Sequence, residues 1–318
     1  MLTDINIKNF KCFSDFNIEN LKKVNLIGGK NNVGKTAFME ACYVNVHAQT
    51  LESFLDALIN IKTFRDTMNI LDDKNRGKTI DMQKIVEHSN HIFTLSNINN
   101  AHFKIKKENG IKEYIFEFNK QSVTVNAKDF YLDAVHTIRN IEFIDNYGLN
   151  SNDIISLYSN VQKKDKEAYL NAAIHAFDNT IEAFKIIDEK PQCKVNGEYL
   201  ELFELGDGMR QYISIICALF SCENGYLFLD EIENGIHYTQ FDRLWSLILE
   251  ISLEQNVQVF ATTHSKECIE SYAKTSLTYQ DTSFVEFGKN QKGEIKSIVM
   301  DFDRFHDEIS AGNGVRGW

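Results

Sequence analysis

Apolar residues recur with two different spacings along this chain, and the changes between them divide it into elements. Ile5-Asn6-Ile7, with an extension to Phe13, and Val24-Asn25-Leu26-Ile27 read as two strands joined by the polar stretch around Glu19-Asn20. From Thr36 the spacing becomes three and four, with Phe38, Met39, Cys42, Tyr43 and Val46 on one face, which predicts a helix. A helical stripe returns at Leu51, Phe54, Leu55, Leu58 and Ile61, after which residues up to 90 turn polar. Between 91 and 126 the period is two, in runs at 91–95, 102–106, 112–118 and 122–125, and Asn109-Gly110 sits where a tight hairpin needs positive φ. An antiparallel subdomain is expected there. A strand at 140–144 precedes a mostly helical stretch from 153 to 187, Pro191 marks the exit from that lobe, and Asn196-Gly197 predicts one more hairpin.

From Asp207 onward helix and strand alternate. Helices are expected at 209–220, 238–254 and 266–273, and buried strands at 226–229 and 257–261. Apolar strands alternating with amphipathic helices imply an α/β fold with a mainly parallel sheet flanked by helices. The expected organisation is a first part of the core at 1–50, inserted helices and an antiparallel β subdomain at 51–150, and a helical lobe at 151–200. The second part of the core follows at 201–280, and a C-terminal hairpin with a polar tail at 281–318.

With 318 residues, 43% of them apolar, the chain has enough material for one large core carrying an insertion. Its formal net charge of -11 provides no global basic field of the kind that draws proteins to nucleic acid, so any such contact must be local or made by a partner. The six cysteines have no C-x-x-C spacing and mostly lie in apolar segments, which suits buried thiols rather than a disulfide frame or zinc site. No signal peptide and no apolar run long enough to span a bilayer are recognisable, so a cytoplasmic protein without a membrane partner is expected.

The strongest chemistry lies between the second strand and the helix after it. Gly29-Lys30-Asn31-Asn32-Val33-Gly34-Lys35-Thr36 fits G-x-x-x-x-G-K-T in full, followed by Ala37. Backbone N–H groups, the helix start and Lys35 neutralise nucleotide phosphates in such a loop, and the Thr36 hydroxyl is a candidate Mg²⁺ ligand. Asp230 ends the apolar run 226–229 and is the second candidate Mg²⁺ ligand, while Glu231 is placed to orient water and accept its proton.

With these motifs in place, the chain resembles the ABC-type P-loop ATPases, in their RecF, SMC and OLD-like branch. The resemblance rests on the opening run Ile7 to Phe13, the loop with Asn31-Asn32, the block Asp230 to His237, and Phe260-Ala261-Thr262-Thr263-His264-Ser265. It covers about 1–50 and 200–275 and is weak between them. It implies a P-loop NTPase of ABC type, with ATP and Mg²⁺ held between two copies. Leu205-Gly206-Asp207-Gly208 then stands where the family has L-S-G-G, at a helix start that meets the partner copy's γ-phosphate. Here Gly206 replaces the serine and Asp207 a glycine, which weakens the contact unless Arg210 compensates. His264 is implied as a contact to the γ-phosphate, Asn234-Gly235 as a turn at the dimer interface, and Lys11 as a basic residue near the phosphates.

The family's Mg²⁺-sensing glutamine has no clear counterpart: Asp145 and Asn146 follow the strand at 140–144, and Gln162 lies in a charged helix. Lys163, Lys164 and Lys166 are interrupted by Asp165 and Glu167, as on a solvated helix face. The implied activity is ATP hydrolysis, for which slow turnover suffices, by a switch protein that forms a homodimer or higher homo-oligomer. No TOPRIM nuclease fits after Thr278, so the resemblance points to a separate effector, such as a nuclease, in anti-phage defence. The competing readings are an ATP-dependent scaffold with negligible turnover and a RecF-like DNA repair ATPase.

Overall fold

The computed structural model describes residues 1–47, 57, 100–107, 110–119, 122–124, 140–146 and 148–311. They fall into two compact units, one made of Met1, 21–35 and 139–318, the other of 2–20 and 36–138. The expected runs at 51–56, 58–90 and 91–95 lie outside the described residues.

The second unit begins with β1 (Leu2–Phe10) and β2 (Phe13–Ile18), which pair antiparallel with Phe10 opposite Phe13. The sequence expectation of one strand running to Phe13 therefore gives way to a hairpin. Lys11 turns the chain there in the left-handed region, at φ +50°, which ends a strand. The first unit takes up the chain with β3 (Val24–Gly29) and the glycine loop to Lys35, and α1 (Lys35–His47) continues from Thr36 in the second unit. In that unit, β4 (Asn100–Lys107), β5 (Gly110–Asn119) and β6 (Ser122–Thr124) join β1 in a five-stranded antiparallel sheet of order β2-β1-β4-β5-β6. The antiparallel subdomain thus recruits the first strands of the chain, which the sequence reading had given to the core. Lys107 lies opposite Gly110, so Gly110 is the first paired residue of β5 rather than part of the two-residue turn expected at Asn109-Gly110; Asn109 is not among the described residues.

The remaining elements belong to the first unit. They are β7 (Ile141–Ile144), α2 (Ser151–Lys163), α3 (Glu167–Phe177), β8 (Ile181–Ile187), β9 (Lys190–Val195), β10 (Glu198–Glu201), α4 (Asp207–Ser221) and β11 (Tyr226–Leu229). After them come α5 (Phe241–Glu254), β12 (Gln258–Thr262), α6 (Lys266–Thr275), β13 (Thr282–Lys289), β14 (Ile295–Asp301) and α7 (Phe302–Ser310). Two expectations change. The helical stretch to 187 stops at Phe177, because Asp178 accepts from the backbone N–H and hydroxyl of Thr180 at 2.9 and 2.7 Å and turns the chain into β8. Pro191 consequently lies inside β9, within a small antiparallel sheet of order β10-β9-β8. The expected polar tail contains α7, whose N-cap is Asp301 accepting from Arg304 N at 3.1 Å.

The central sheet has the order β14-β13-β3-β12-β11-β7 and is parallel except for the β13–β14 hairpin. Its register sets Leu229 beside both Ile144 and Ala261, and Thr262 beside Ile27. Four parallel strands therefore end together, and the loops after β3, β7, β11 and β12 emerge on one edge. Open α/β sheets place their ligand sites at this edge. Beneath it, one apolar cluster includes Leu26, Ile144, Tyr212, Leu229, Trp245, Ala261 and Tyr272, all with negligible solvent exposure. A core of that size keeps the four loop origins fixed with respect to one another. No helix among the described residues is long and apolar enough to cross a membrane.

Candidate functional site

The glycine loop holds a shape that its sequence permits and few others would. Gly29 has φ +140°, and a Cβ there would lie 2.4 Å from the Phe287 carbonyl oxygen on the neighbouring strand, so no side chain fits. Asn32 carries φ +59°, a conformation asparagine tolerates better than most residues. Lys30, Asn31 and Asn32 are exposed, Val33 is buried, and Gly34 leads into α1 at Lys35, where the helix presents its N-terminal N–H groups. Thr36 and Ala37 continue that helix in the second unit.

Lys35 is almost wholly buried, at 5% exposure, and its ammonium donates to the carbonyls of Gly29 at 2.9 Å and Lys30 at 3.0 Å. Burial pushes its pKa down to about 8, against the opposing pull of Asp230, Glu233 and Glu231. The same Nζ lies 3.2 Å from His264 Nδ1. An ammonium only donates, so Nδ1 is the acceptor and the imidazole proton sits on Nε2. Nε2 in turn lies 3.7 Å from Glu231 Oε1.

A buried threonine at the end of β12 ties the two acids together. Thr262 Oγ1 donates to Asp230 Oδ1 at 2.6 Å and accepts from the Glu231 backbone N–H at 2.8 Å. Glu231 has φ +50°, a left-handed conformation uncommon outside glycine and of the kind often found at functional sites. Its carbonyl accepts from Asn234 N at 2.9 Å, which closes the turn after β11. The sequence motif contained Thr262 but assigned it no task; the parallel register of β11 and β12 is what brings it to the acids.

At the head of α4, Gly206 and Asp207 are exposed and Gly208 packs against the turn Asn234-Gly235. A Cβ on Gly208 would stand 2.2 Å from the Gly235 carbonyl oxygen, so glycine is required for that approach. Arg210 Nη2 pairs with Asp207 Oδ1 at 2.8 Å, so the charge added by Asp207 has a cation against it. A cleft of about 830 Å³ opens here, with Gly206, Asp207, His175, His237 and Arg243 among its walls. The Asn234 amide also donates to the Asn146 carbonyl, joining the turn to the segment that follows β7.

Other sequence candidates lie elsewhere. Lys11 pairs with the carboxylate of Glu40 on α1, within the second unit. Lys164 pairs with Glu223 and Lys166 with Glu254, tying the end of α2 to the ends of α4 and α5, and Gln162 is exposed. His237 contacts Thr239 Oγ1 at 2.9 Å and is exposed. Of the cysteines, Cys12 is exposed and the other five are buried, all of them free thiols. No group of three or more His, Cys, Asp or Glu that would hold a metal occurs among the described residues. One carboxylate and one hydroxyl suit Mg²⁺, which takes much of its coordination from water and phosphate oxygens.

Residues 142–269, which carry Asp230, Glu231 and His264, match the AAA ATPase domain family. The chain is an ATPase. It is 25% identical over 337 residues to a Helicobacter pylori protein named ATP/GTP phosphatase, an alignment that spans 85% of this chain and 87% of that protein. Its fold is shared with an Smc head domain with an extended coiled coil bound to the C-terminal domain of ScpA, derived from Pyrococcus furiosus. That match has a TM-score of 0.53 at 9% identity and covers 98% of both chains. An SmcHead bound to the C-winged helix domain of ScpA matches at TM-score 0.52 and 9% identity, over 95% of this chain and 98% of the other. The fold is therefore shared with Smc head domains, a mainly parallel sheet flanked by helices with antiparallel strands added.

Proposed function

We propose that the chain is an ATP-driven switch in which two copies clasp two Mg·ATP between them. The observation that carries the reading is the convergence of Lys35, His264 and Glu231 within 3.7 Å of one another in series, next to Asp230, at the edge where four parallel strands end. Lys35 and the N–H groups of residues 29–37 bind the β- and γ-phosphates, and Thr36 and Asp230 hold Mg²⁺, which supplies charge neutralisation on the phosphate oxygens. Glu231 orients the attacking water and takes its proton, and His264 donates to the γ-phosphate once Lys35 turns to the nucleotide. The exposed Gly206–Gly208 turn at the head of α4 meets the γ-phosphate held by the partner copy, with Arg210 offsetting Asp207. ATP then acts as an interfacial tie, and hydrolysis releases it.

The ScpA domains bound to the two Smc heads support a separate effector acting on this head, and the RecF, SMC and OLD-like resemblance supports a cytoplasmic role in anti-phage defence. The runner-up is a scaffold that needs ATP to assemble but hardly hydrolyses it, which the altered signature turn favours. Phosphate release with Mg·ATP, with and without DNA, separates these readings. Slow, DNA-independent turnover abolished by Lys35→Ala and Glu231→Gln supports the switch. Undetectable turnover by an ATP-bound protein supports the scaffold, and strong DNA stimulation supports a repair ATPase.

A further inference from the structure

Glu233 takes no part in the chemistry above, yet its side chain joins two loops of the site. It lies two residues beyond Glu231, in the turn that ends at Gly235. Its Oε1 accepts the backbone N–H of His264 at 2.6 Å and of Ser265 at 3.1 Å, bridging the loop after β11 to the loop after β12. Those two N–H groups sit just before α6, whose first turn is capped by Ser265 Oγ accepting from Cys268 N at 3.1 Å. Carboxylates that accept two backbone donors are strong, directional anchors. The second oxygen, Oε2, is buried and has no hydrogen-bond partner among the described residues.

The backbone of the same turn continues toward the head of α4. The Glu233 carbonyl accepts from Ile236 N at 3.1 Å, and Gly235 is the residue against which Gly208 packs. A continuous path within one copy thus runs from the turn Gly206–Gly208 through Gly235 and Glu233 to the backbone of His264, whose imidazole faces Lys35. We infer that Glu233 is a positioning residue that couples seating of the Gly206–Gly208 turn to the placement of the His264 imidazole. This rests on the reading of His264 as the γ-phosphate contact. The working part of the side chain is the acceptor at Oε1, with its reach, and its charge is secondary.

Three substitutions separate the possibilities. Glu233→Gln keeps an oxygen acceptor of the same reach and removes the charge, Glu233→Asp shortens the reach, and Glu233→Ala removes the acceptor. The expected result is that Glu233→Gln turns over within about threefold of wild type, while Glu233→Ala and Glu233→Asp lose about 30-fold in kcat, a fraction of the effect of deleting a preorganised donor outright. ATP affinity, read with a fluorescent nucleotide, stays within about threefold in all three because Lys35 and the glycine loop are untouched. If Glu233→Ala does not fold, the contrast between Glu233→Gln and Glu233→Asp carries the test alone. His264→Ala is measured beside them. Wild-type turnover by His264→Ala overturns the functional reading beneath this inference. An inactive His264→Ala beside a fully active Glu233→Asp overturns the coupling by itself. A Glu233→Gln as impaired as Glu233→Ala also overturns it, since charge would then be what matters.

Discussion

Thr262→Val is the sharpest test of how the acids are held. Valine has nearly the shape of threonine, and the site is fully buried, so packing is preserved while one hydroxyl is deleted. That hydroxyl makes two bonds in opposite senses, donating to Asp230 Oδ1 at 2.6 Å and accepting from Glu231 N at 2.8 Å. A hydrogen bond to a charged group contributes about 1.5–3 kcal/mol, and an N–H left without its acceptor costs about 1–3 kcal/mol more. The gain from burying a methyl group offsets about 1 kcal/mol of this. The expected net loss is about 2–4 kcal/mol, which for a chain of this size lowers the unfolding midpoint by about 3–6 °C. Function should suffer separately. Glu231 is held at φ +50°, where a non-glycine residue is strained by about 1–2 kcal/mol, and loss of its N–H anchor lets the turn relax. Turnover should fall by about 10–100-fold, the range for a misplaced general base. Thr262→Ser, which restores the hydroxyl, should recover most of both. Differential scanning fluorimetry and a phosphate-release assay measure the two effects. A Thr262→Val protein that melts and hydrolyses ATP like wild type refutes the reasoning.

Three further outcomes follow from the geometry and charge of the site. Free Lys35 loses its proton near pH 8, and phosphate oxygens favour the ammonium and raise its pKa on binding. Nucleotide uptake above pH 8 should thus be accompanied by proton uptake, with affinity falling up to tenfold per pH unit, readable by calorimetry in buffers of different ionisation enthalpy. Glu142 on β7 is held up to about 7 by burial and by Asp153, so the folded chain retains a proton that the unfolded chain gives up from about 4.5. Stability should drop between pH 4.5 and 7, and Glu142→Gln should abolish that slope and stabilise the protein by about 1–3 kcal/mol above pH 7, as denaturant titrations will show. Gly208→Ala drives a methyl into the Gly235 carbonyl and should disrupt the turn pair, with turnover falling at least tenfold while binding of nucleotide to an isolated copy persists.

The chemistry-bearing segments were legible because each sits directly after a short apolar strand, where local pattern and motif reinforce each other. Gly29–Thr36 and Asp230-Glu231 are of this kind, and the strand 226–229 matches β11 residue for residue. What escaped the sequence was non-local. The link from Thr262 to Asp230 and from Glu233 to His264 depends on β11 and β12 lying side by side in register, which no spacing within one segment reveals. The first strands likewise looked like part of the core, since pairing of β1 with β4 joins residues about a hundred positions apart. Ile181, Phe184 and Ile187 recur at a spacing of three, which suits a helix as readily as β8, and the turn built by Asp178 and Thr180 decides for the strand. Asp301 is exposed and also caps α7.

The central claim, that nucleotide is shared between two copies, is tested most directly by sedimentation velocity of Glu231→Gln with saturating Mg·ATP, beside the same protein without nucleotide and a Lys35→Ala control. The account predicts a shift from monomer to a stable dimer only for Glu231→Gln with Mg·ATP, since that variant binds the triphosphate and does not release it. A Glu231→Gln protein that binds ATP and still sediments as a monomer contradicts the account.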